Sequence, residues 1–233
     1  MLTNWLPKPW RIVVKKGVLC GACLLLAYVG AWGDVISQTN AFSHAVPGTT
    51  NLVFNQFDDS LGVLQSVEFI MSGFQQANAS VENGTNISDV IITLTLNGSL
   101  AGTNSLPGLA PLVALPSLST NSPPLAAADG TPNGGPDFYN FGLLTSAAAN
   151  DSDFVSGAFL SSYVGLGTYL FTVAVGGGWN FSGVGDAVIG VSGFAGEGEV
   201  IVNYTFAIPE VSFGWILAPM LGGIIWLRRR TVR

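Results

Sequence analysis

From Asp34 to Ala207 the apolar residues of the chain recur at every second position. In VEFIM, Val67, Phe69 and Met71 fall on one side and Glu68 and Ile70 on the other; in IITLTL, Ile92, Leu94 and Leu96 oppose Ile91, Thr93 and Thr95. The same alternation puts Tyr169, Phe171, Val173 and Val175 on one side of YLFTVAV, and Val200, Val202, Tyr204 and Phe206 on one side of VIVNYTF. A repeat of two belongs to a strand with one buried face, whereas a helix repeats at 3.6, so these segments predict half-buried antiparallel strands. Turn signals separate them at Asn83-Gly84, Asn97-Gly98, Asp129-Gly130, Asn133-Gly134 and Gly176 to Gly178, because Asn, Asp and Gly tolerate positive φ. Several short strands with Gly-rich turns predict an all-β fold, an antiparallel β-sandwich, with a closed β-barrel as the alternative.

The pattern is interrupted between Leu106 and Asp137, which holds seven of the twelve prolines: Pro107, Pro111, Pro116, Pro123, Pro124, Pro132 and Pro136. Proline has no N–H to give to a sheet ladder, so this stretch reads as a long connection and not as a central strand. A linker between two domains is the alternative. Strands of like composition lie on both sides, and either half alone has a thin core, so residues 34–207 are read as one domain.

Two further apolar runs lie outside that domain, and their flanks differ from it. Lys8, Arg11, Lys15 and Lys16 precede GVLCGACLLLAYVGAW, at whose end stand the small residues Ala31 and Gly33. A basic stretch, an apolar stretch and two small residues two apart make residues 1–33 a signal peptide, with signal peptidase leaving Asp34 first; an uncleaved anchor is the alternative. Cys20 and Cys23, the two cysteines, fall inside the removed segment. The mature protein then has no thiol and no disulfide, and depends on its core for stability.

At the other end, residues 208–233 contain a 17-residue uncharged run, Val211 to Leu227, closed by Arg228, Arg229 and Arg230. At 1.5 Å per residue it spans roughly 25 Å, the short limit for a transmembrane helix. Arginines stay on the cytoplasmic side, so the domain lies outside. A permanent anchor and a buried helix of the domain are the alternatives, and three adjacent arginines argue against burial.

Charge placement separates the middle from both ends. All eight Lys and Arg lie in the terminal segments, with none between Lys16 and Arg228, while all fourteen carboxylates lie between Asp34 and Glu210. A surface of that sign repels phosphate backbones and has no Arg to read bases, which excludes nucleic acid as a partner of the domain. The acidity serves solubility, or it serves cations.

Candidate chemistry is sparse. His44 is the one histidine, so a Ser-His-Asp triad rests on it alone, with no nucleophile motif beside it; a zinc site meets the same shortage. Asp58/Asp59, Asp151/Asp153 and Glu197/Glu199 are carboxylate pairs of the kind that hydrolyses glycosides, and residues i and i+2 of a strand share a face at about 7 Å. No catalytic residue is assigned from them. The same oxygens suit Ca²⁺, which takes several hard ligands; Asp151 and Asp153 in Asn150 to Asp153, and Asp129 and Asp137 in a Pro- and Gly-rich stretch, are the candidate ligands, in loop-like sequence without the spacing of known calcium repeats. No other cofactor is expected. Trp179, the one tryptophan between the tails, is either a core residue or a platform for a sugar ring, with Tyr139, Tyr163 and Phe181 as companions.

The order Pro209-Glu210, apolar run, Arg228 to Arg230 resembles the PEP-CTERM sorting signal of bacterial exported proteins, with Val211 where the usual third motif residue is proline. The resemblance implies an exosortase substrate: the membrane holds the precursor by its tail, the tail is cut near the motif, and the protein passes to the cell surface or extracellular matrix. The domain itself is similar to the choice-of-anchor E domain of bacterial surface proteins in FNQFDDSLGVLQSVEF (Phe54 to Phe69), LAAADGTPNGGPDFYNFG (Leu125 to Gly142) and VIVNYTF (Val200 to Phe206). That resemblance implies an all-β exported module and carries no assigned activity. Together these observations lead to the expectation of a non-catalytic structural or adhesive surface protein, not an enzyme, whose contacts include extracellular polysaccharide. A carbohydrate-binding module and, behind it, a carboxylate-dependent glycoside hydrolase are the alternatives.

Overall fold

Ten strands build two antiparallel sheets in the computed structural model, which describes residues 33–208. They are β1 (Gly33–Ala45), β2 (Gly48–Asn55), β3 (Val63–Asn83), β4 (Thr93–Asn104), β5 (Leu112–Ala114), β6 (Ser117–Asn121), β7 (Phe138–Thr145), β8 (Ala149–Val155), β9 (Thr168–Ser182) and β10 (Ala187–Ala207). The first sheet runs β1-β10-β3-β7, with β8 also on β3; the second runs β2-β9-β4-β5, with β6 also on β4. The expected signal segment with Ala31, and the expected tail with Pro209, Glu210, the apolar run 211–227 and Arg228 to Arg230, lie outside the described residues. Gly33 opens β1 opposite Ala207. Among the described residues no helix is long and apolar enough to cross a membrane.

The period-two faces meet between the sheets. Val67, Phe69 and Met71 of β3 and Val200, Val202, Tyr204 and Phe206 of β10 are buried against Tyr169, Phe171, Val173 and Val175 of β9 and Leu100 of β4. Ring stacking fixes the middle of this core, with Phe69 and Phe171 centroids 5.7 Å apart across the sheets, a separation at which aromatic pairs add stability beyond area. A smaller cluster of Val81, Val90, Ile92 and Leu125 lies toward the other end.

β3 and β10 are each 21 residues long, roughly 70 Å at the strand rise, and twist accumulates over such a length. Both neighbours of β3 carry a bulge at one level, which bends the strand and sharpens its local twist. β10 shifts register between Ser192 and Ala195, with Gly193 at φ 63°, and β7 shifts opposite Ala79 and Ser80, with Gly142 at φ 70°. Just below lies Gln75, whose amide separates the two apolar clusters; its Nε2 donates to the Gly176 carbonyl at 2.5 Å. Room for that amide explains a correction to the turn assignments. Asn97-Gly98 and Gly176 to Gly178 are not turns but lie inside β4 and β9, where Gly98 pairs with Gly177. A Cβ on Gly98 sits 2.5 Å from the Gln75 side chain and one on Gly177 2.8 Å from it. The glycines mark a close approach, as glycine inside a strand does.

The proline-rich connection also needs correcting in part. It contains β5 and β6, which pair with successive halves of β4 as one edge strand broken at Pro116. At an edge the missing N–H faces away from the ladder, so proline is tolerated.

The barrel alternative is overturned at the sheet edges, where side chains, not backbone ladders, bridge the gap. On one side Gln38 of β1 holds Asn55 of β2 by both amide atoms, Nε2 to the carbonyl at 3.0 Å and Oε1 from the N–H at 2.9 Å, and Asn40 Nδ2 donates to the Val53 carbonyl at 2.8 Å. On the other side Asp151 and Asp153 of β8 accept from the N–H groups of Val113 and Ala110. Such contacts also cover edges that are otherwise free to pair with another chain. The molecule is a sandwich.

Candidate functional site

Asp151 and Asp153 share a face as their spacing predicts, but the segment Asn150 to Asp153 belongs to strand β8 and not to a loop. Asp151 Oδ2 accepts from Val113 N–H at 2.7 Å and Asp153 Oδ2 from Ala110 N–H at 3.2 Å, while their Oδ1 atoms accept from Ser152 and Phe154 N–H at 2.9 and 2.8 Å. All four oxygens accept from backbone N–H groups, so this pair ties β8 to the edge of the opposite sheet. Nor does the fold bring them to Asp129 and Asp137. Asp151 lies opposite Met71 of β3, whereas Asp137 joins β3 at Asn83, roughly 40 Å along the strand.

Asp129 and Asp137, in contrast, are brought together. The segment between Leu125 and Phe138 closes on itself where Ala126 N–H meets the Pro136 carbonyl at 3.1 Å, and it is tied to the end of β3 by Asn83 N–H to the Asp137 carbonyl at 2.9 Å. The buried Asn83 amide spends every donor and acceptor here: Nδ2 to the carbonyls of Ile87 and Ala126, both at 2.7 Å, and Oδ1 from the N–H and hydroxyl of Thr85. Glu82 Oε2 holds the turn through Asn133 N–H at 2.8 Å. The sequence marks Asn83 only as a turn residue; its role as the hub of this loop has no signature in spacing.

Within the loop, Asp129 Oδ1 accepts from Thr131 N–H at 2.7 Å and Asp137 Oδ2 from Asp129 N–H at 3.1 Å. Asp137 is fully buried, and its Oδ1 has no hydrogen-bond partner. That oxygen and Asp129 Oδ2 border one gap in front of Gly135, which is at φ 81°: a Cβ built there lies 3.0 Å from Asp137 Oδ1 and closer still to Asp129 Oδ2. Among the described residues no group of three or more His, Cys, Asp or Glu is placed to share a metal ion.

Glu197 and Glu199 of β10 stand on the outer face of the first sheet, in a shallow concavity of about 600 Å³ whose floor includes Ser43, Ser72, Gly73 and Phe74. Glu197 Oε1 accepts from Gln76 Nε2 at 2.6 Å and from Ser43 Oγ at 3.3 Å. The two carboxylates point the same way from one strand instead of facing each other across a cleft, the arrangement that glycoside hydrolysis requires. His44 is half-buried and its Nδ1 is bonded to the Ala45 carbonyl at 2.8 Å. Asp58 caps the 3₁₀ turn Asp59–Leu61 through Ser60 N–H at 2.9 Å, and that bonding to Ser60 holds its carboxyl below the usual range.

Trp179 and Phe181 of β9 continue the inward-facing parity of Val173 and Val175, opposite Leu96 and Leu94, yet they are 42% and 38% exposed. Tyr139 and Phe141 of β7 make an edge-to-face pair at 4.9 Å, whereas Tyr163 is buried in the main core. The structure thus separates the expected aromatic companions: Phe181 stays beside Trp179 in register, and Tyr163 does not.

No protein-family model matches the chain, and no curated protein matches it. Among solved structures, that of the infectious bursal disease virus Gt strain is 11% identical over 85% of this chain, with a TM-score of 0.11. This chain spans 48% of the length of that one. A likeness of this degree carries no argument.

Proposed function

We propose that this is an exported bacterial surface protein, sorted by an exosortase through its C-terminal tail, whose β-sandwich has a non-catalytic structural or adhesive role at the cell surface or in the extracellular matrix. The observation that carries the reading is the charge map: every Lys and Arg flanks one of the two terminal apolar runs, and the domain between them holds only carboxylates and one His. Such flanks direct a chain through and into a membrane, while an acidic, edge-covered sandwich stays soluble and unpaired once released. The blocks that resemble the choice-of-anchor E domain fit a structural module, since Phe54, Phe57, Phe69 and the VIVNYTF face are buried core.

The mature termini test it. Surface protein from the native bacterium, measured by intact mass, begins at Asp34 and ends close to Glu210, and deletion of the exosortase leaves the tail in the membrane fraction. Because the processed chain has no Lys or Arg, trypsin leaves it whole even when denatured. Surface protein that still carries Trp5 or Trp226 would sink the proposal.

A second reading, contact with extracellular polysaccharide, is favoured by the half-exposed Trp179 and Phe181, which stand two apart on one face of β9. Sugar rings stack on the faces of such side chains.

A further inference from the structure

The loop that carries Asp129 and Asp137 contains a carboxylate oxygen with nothing to bind. Burying an ionised carboxyl without a partner costs several kcal/mol, and proteins meet this cost by pairing, by protonation or by a metal. Pairing with a side chain of the domain is closed, because no Lys or Arg lies between Lys16 and Arg228, and His44 sits opposite Gly196 near the level of Gln75, well down β3 from Asn83. The second carboxylate makes the demand larger. Asp129 Oδ2 and Asp137 Oδ1 both lie within about 3 Å of the same point, the position of a Cβ that Gly135 lacks. Two anionic oxygens at that separation repel each other unless a positive charge stands between them.

We propose that this gap binds one divalent cation of the calcium class, with Asp129 Oδ2 and Asp137 Oδ1 as its protein carboxylate ligands. Ca²⁺ takes oxygens at 2.3–2.6 Å in a flexible shell, so an ion in the gap reaches both, and the exposed side of Asp129 leaves the rest of the shell to solvent and loop carbonyls. Three features keep the gap open. Gly135 stands where any side chain fills it, the Asn83 amide fixes the base of the loop, and Glu82 holds Asn133. Mg²⁺ demands tight octahedral geometry and sheds water reluctantly, so Ca²⁺ is the better occupant. The ion ties Asp129 to Asp137 and so stabilises the far end of the sandwich, where the small cluster of Val81, Val90, Ile92 and Leu125 has the least core to hold it.

The test uses the full chain in detergent, with Ca²⁺, Mg²⁺ or EDTA as the only variable. Calorimetry is expected to give one Ca²⁺ per chain with Kd on the order of 10⁻⁴ to 10⁻³ M, and Tm to rise by roughly 3–6 °C at ten times Kd, with a smaller rise in Mg²⁺. Asp129→Asn loses both the heat and the shift, and its Tm in EDTA is not below that of the wild type, because one of the two repelling charges is gone. Asp137→Asn loses them too, and Asp151→Asn keeps them. If wild-type Tm is the same in Ca²⁺ and EDTA and no heat is seen, the two carboxyls share a proton instead and the proposal is overturned. It is equally overturned if Asp129→Asn binds Ca²⁺ as the wild type does.

Discussion

The hydroxyls of Tyr169 and Tyr204 lie 2.6 Å apart in the core, one from each sheet. Tyr204 donates onward to the Asn55 carbonyl at 2.6 Å, so Tyr169 is the donor to Tyr204, and three strands are linked by a single directed chain. Truncating the middle of such a chain is worse than truncating its end. Tyr204→Phe removes both bonds and strands the Tyr169 hydroxyl, at a cost of about 2–3 kcal/mol, whereas Tyr169→Phe removes one bond for about 1 kcal/mol. Urea unfolding of the two variants checks the order.

The same tyrosines set the behaviour in alkali. Burial pushes the Tyr163 and Tyr204 hydroxyls up to about 12, and burial together with the neighbouring Tyr204 also raises Tyr169. Unfolded tyrosine titrates near 10. Above that pH the folded state binds more protons than the unfolded one, so stability falls as pH rises. Denaturant midpoints are expected to be insensitive to these groups below pH 10 and to drop between about 10 and 12. Replacing Tyr163 by Phe weakens that drop.

Gly177 is at φ 151° and faces the buried amide of Gln75. Gly98→Ala forces Gln75 aside and Gly177→Ala meets the Asn97 carbonyl as well as Gln75, so each destabilises by about 1–3 kcal/mol, the usual cost of overpacking. Gly178→Ala meets nothing within 4 Å and is expected to change stability by less than about 0.5 kcal/mol. Thermal melts of the three variants separate a crowded approach from a simple glycine-rich stretch.

Asp151 bridges the sheets by accepting from Val113 N–H. Asp151→Ala leaves that donor without its carboxylate, so hydrogen exchange at Val113 speeds up and stability falls by about 1–3 kcal/mol. The change is expected to be the same with and without Ca²⁺, which distinguishes this carboxylate from Asp129.

If Trp179 and Phe181 meet polysaccharide, replacing both with Ala lowers retention on matrix polymer from the source organism at least tenfold. The Tm falls as well, because more than half of each side chain is buried, so retention is compared at a temperature where both proteins are folded. Unchanged retention removes the second reading.

Alternation alone was enough to identify the buried faces of four strands, β3, β4, β9 and β10: Val67, Phe69 and Met71, or Val200 through Phe206, have one partner phase that keeps apolar groups from water, and a slip of one residue exposes them all. Composition likewise determined the acidity of the domain and its lack of thiols, since these are counts. What the sequence left open depends on who stands across the gap between strands distant in the chain. Gly98 and Gly177 read as turns because a local signal cannot know that Gln75 needs their space. Asp151 and Asp153 read as loop ligands because nothing nearby reveals Val113 and Ala110 on the opposite edge. Asp129 and Asp137 look no different from them in sequence, and only the folding of their loop onto Asn83 buries one oxygen without a partner and brings the other to the same gap. Spacing along a strand carries the face of a residue, but the desolvation and pairing that decide its chemistry are set by tertiary neighbours.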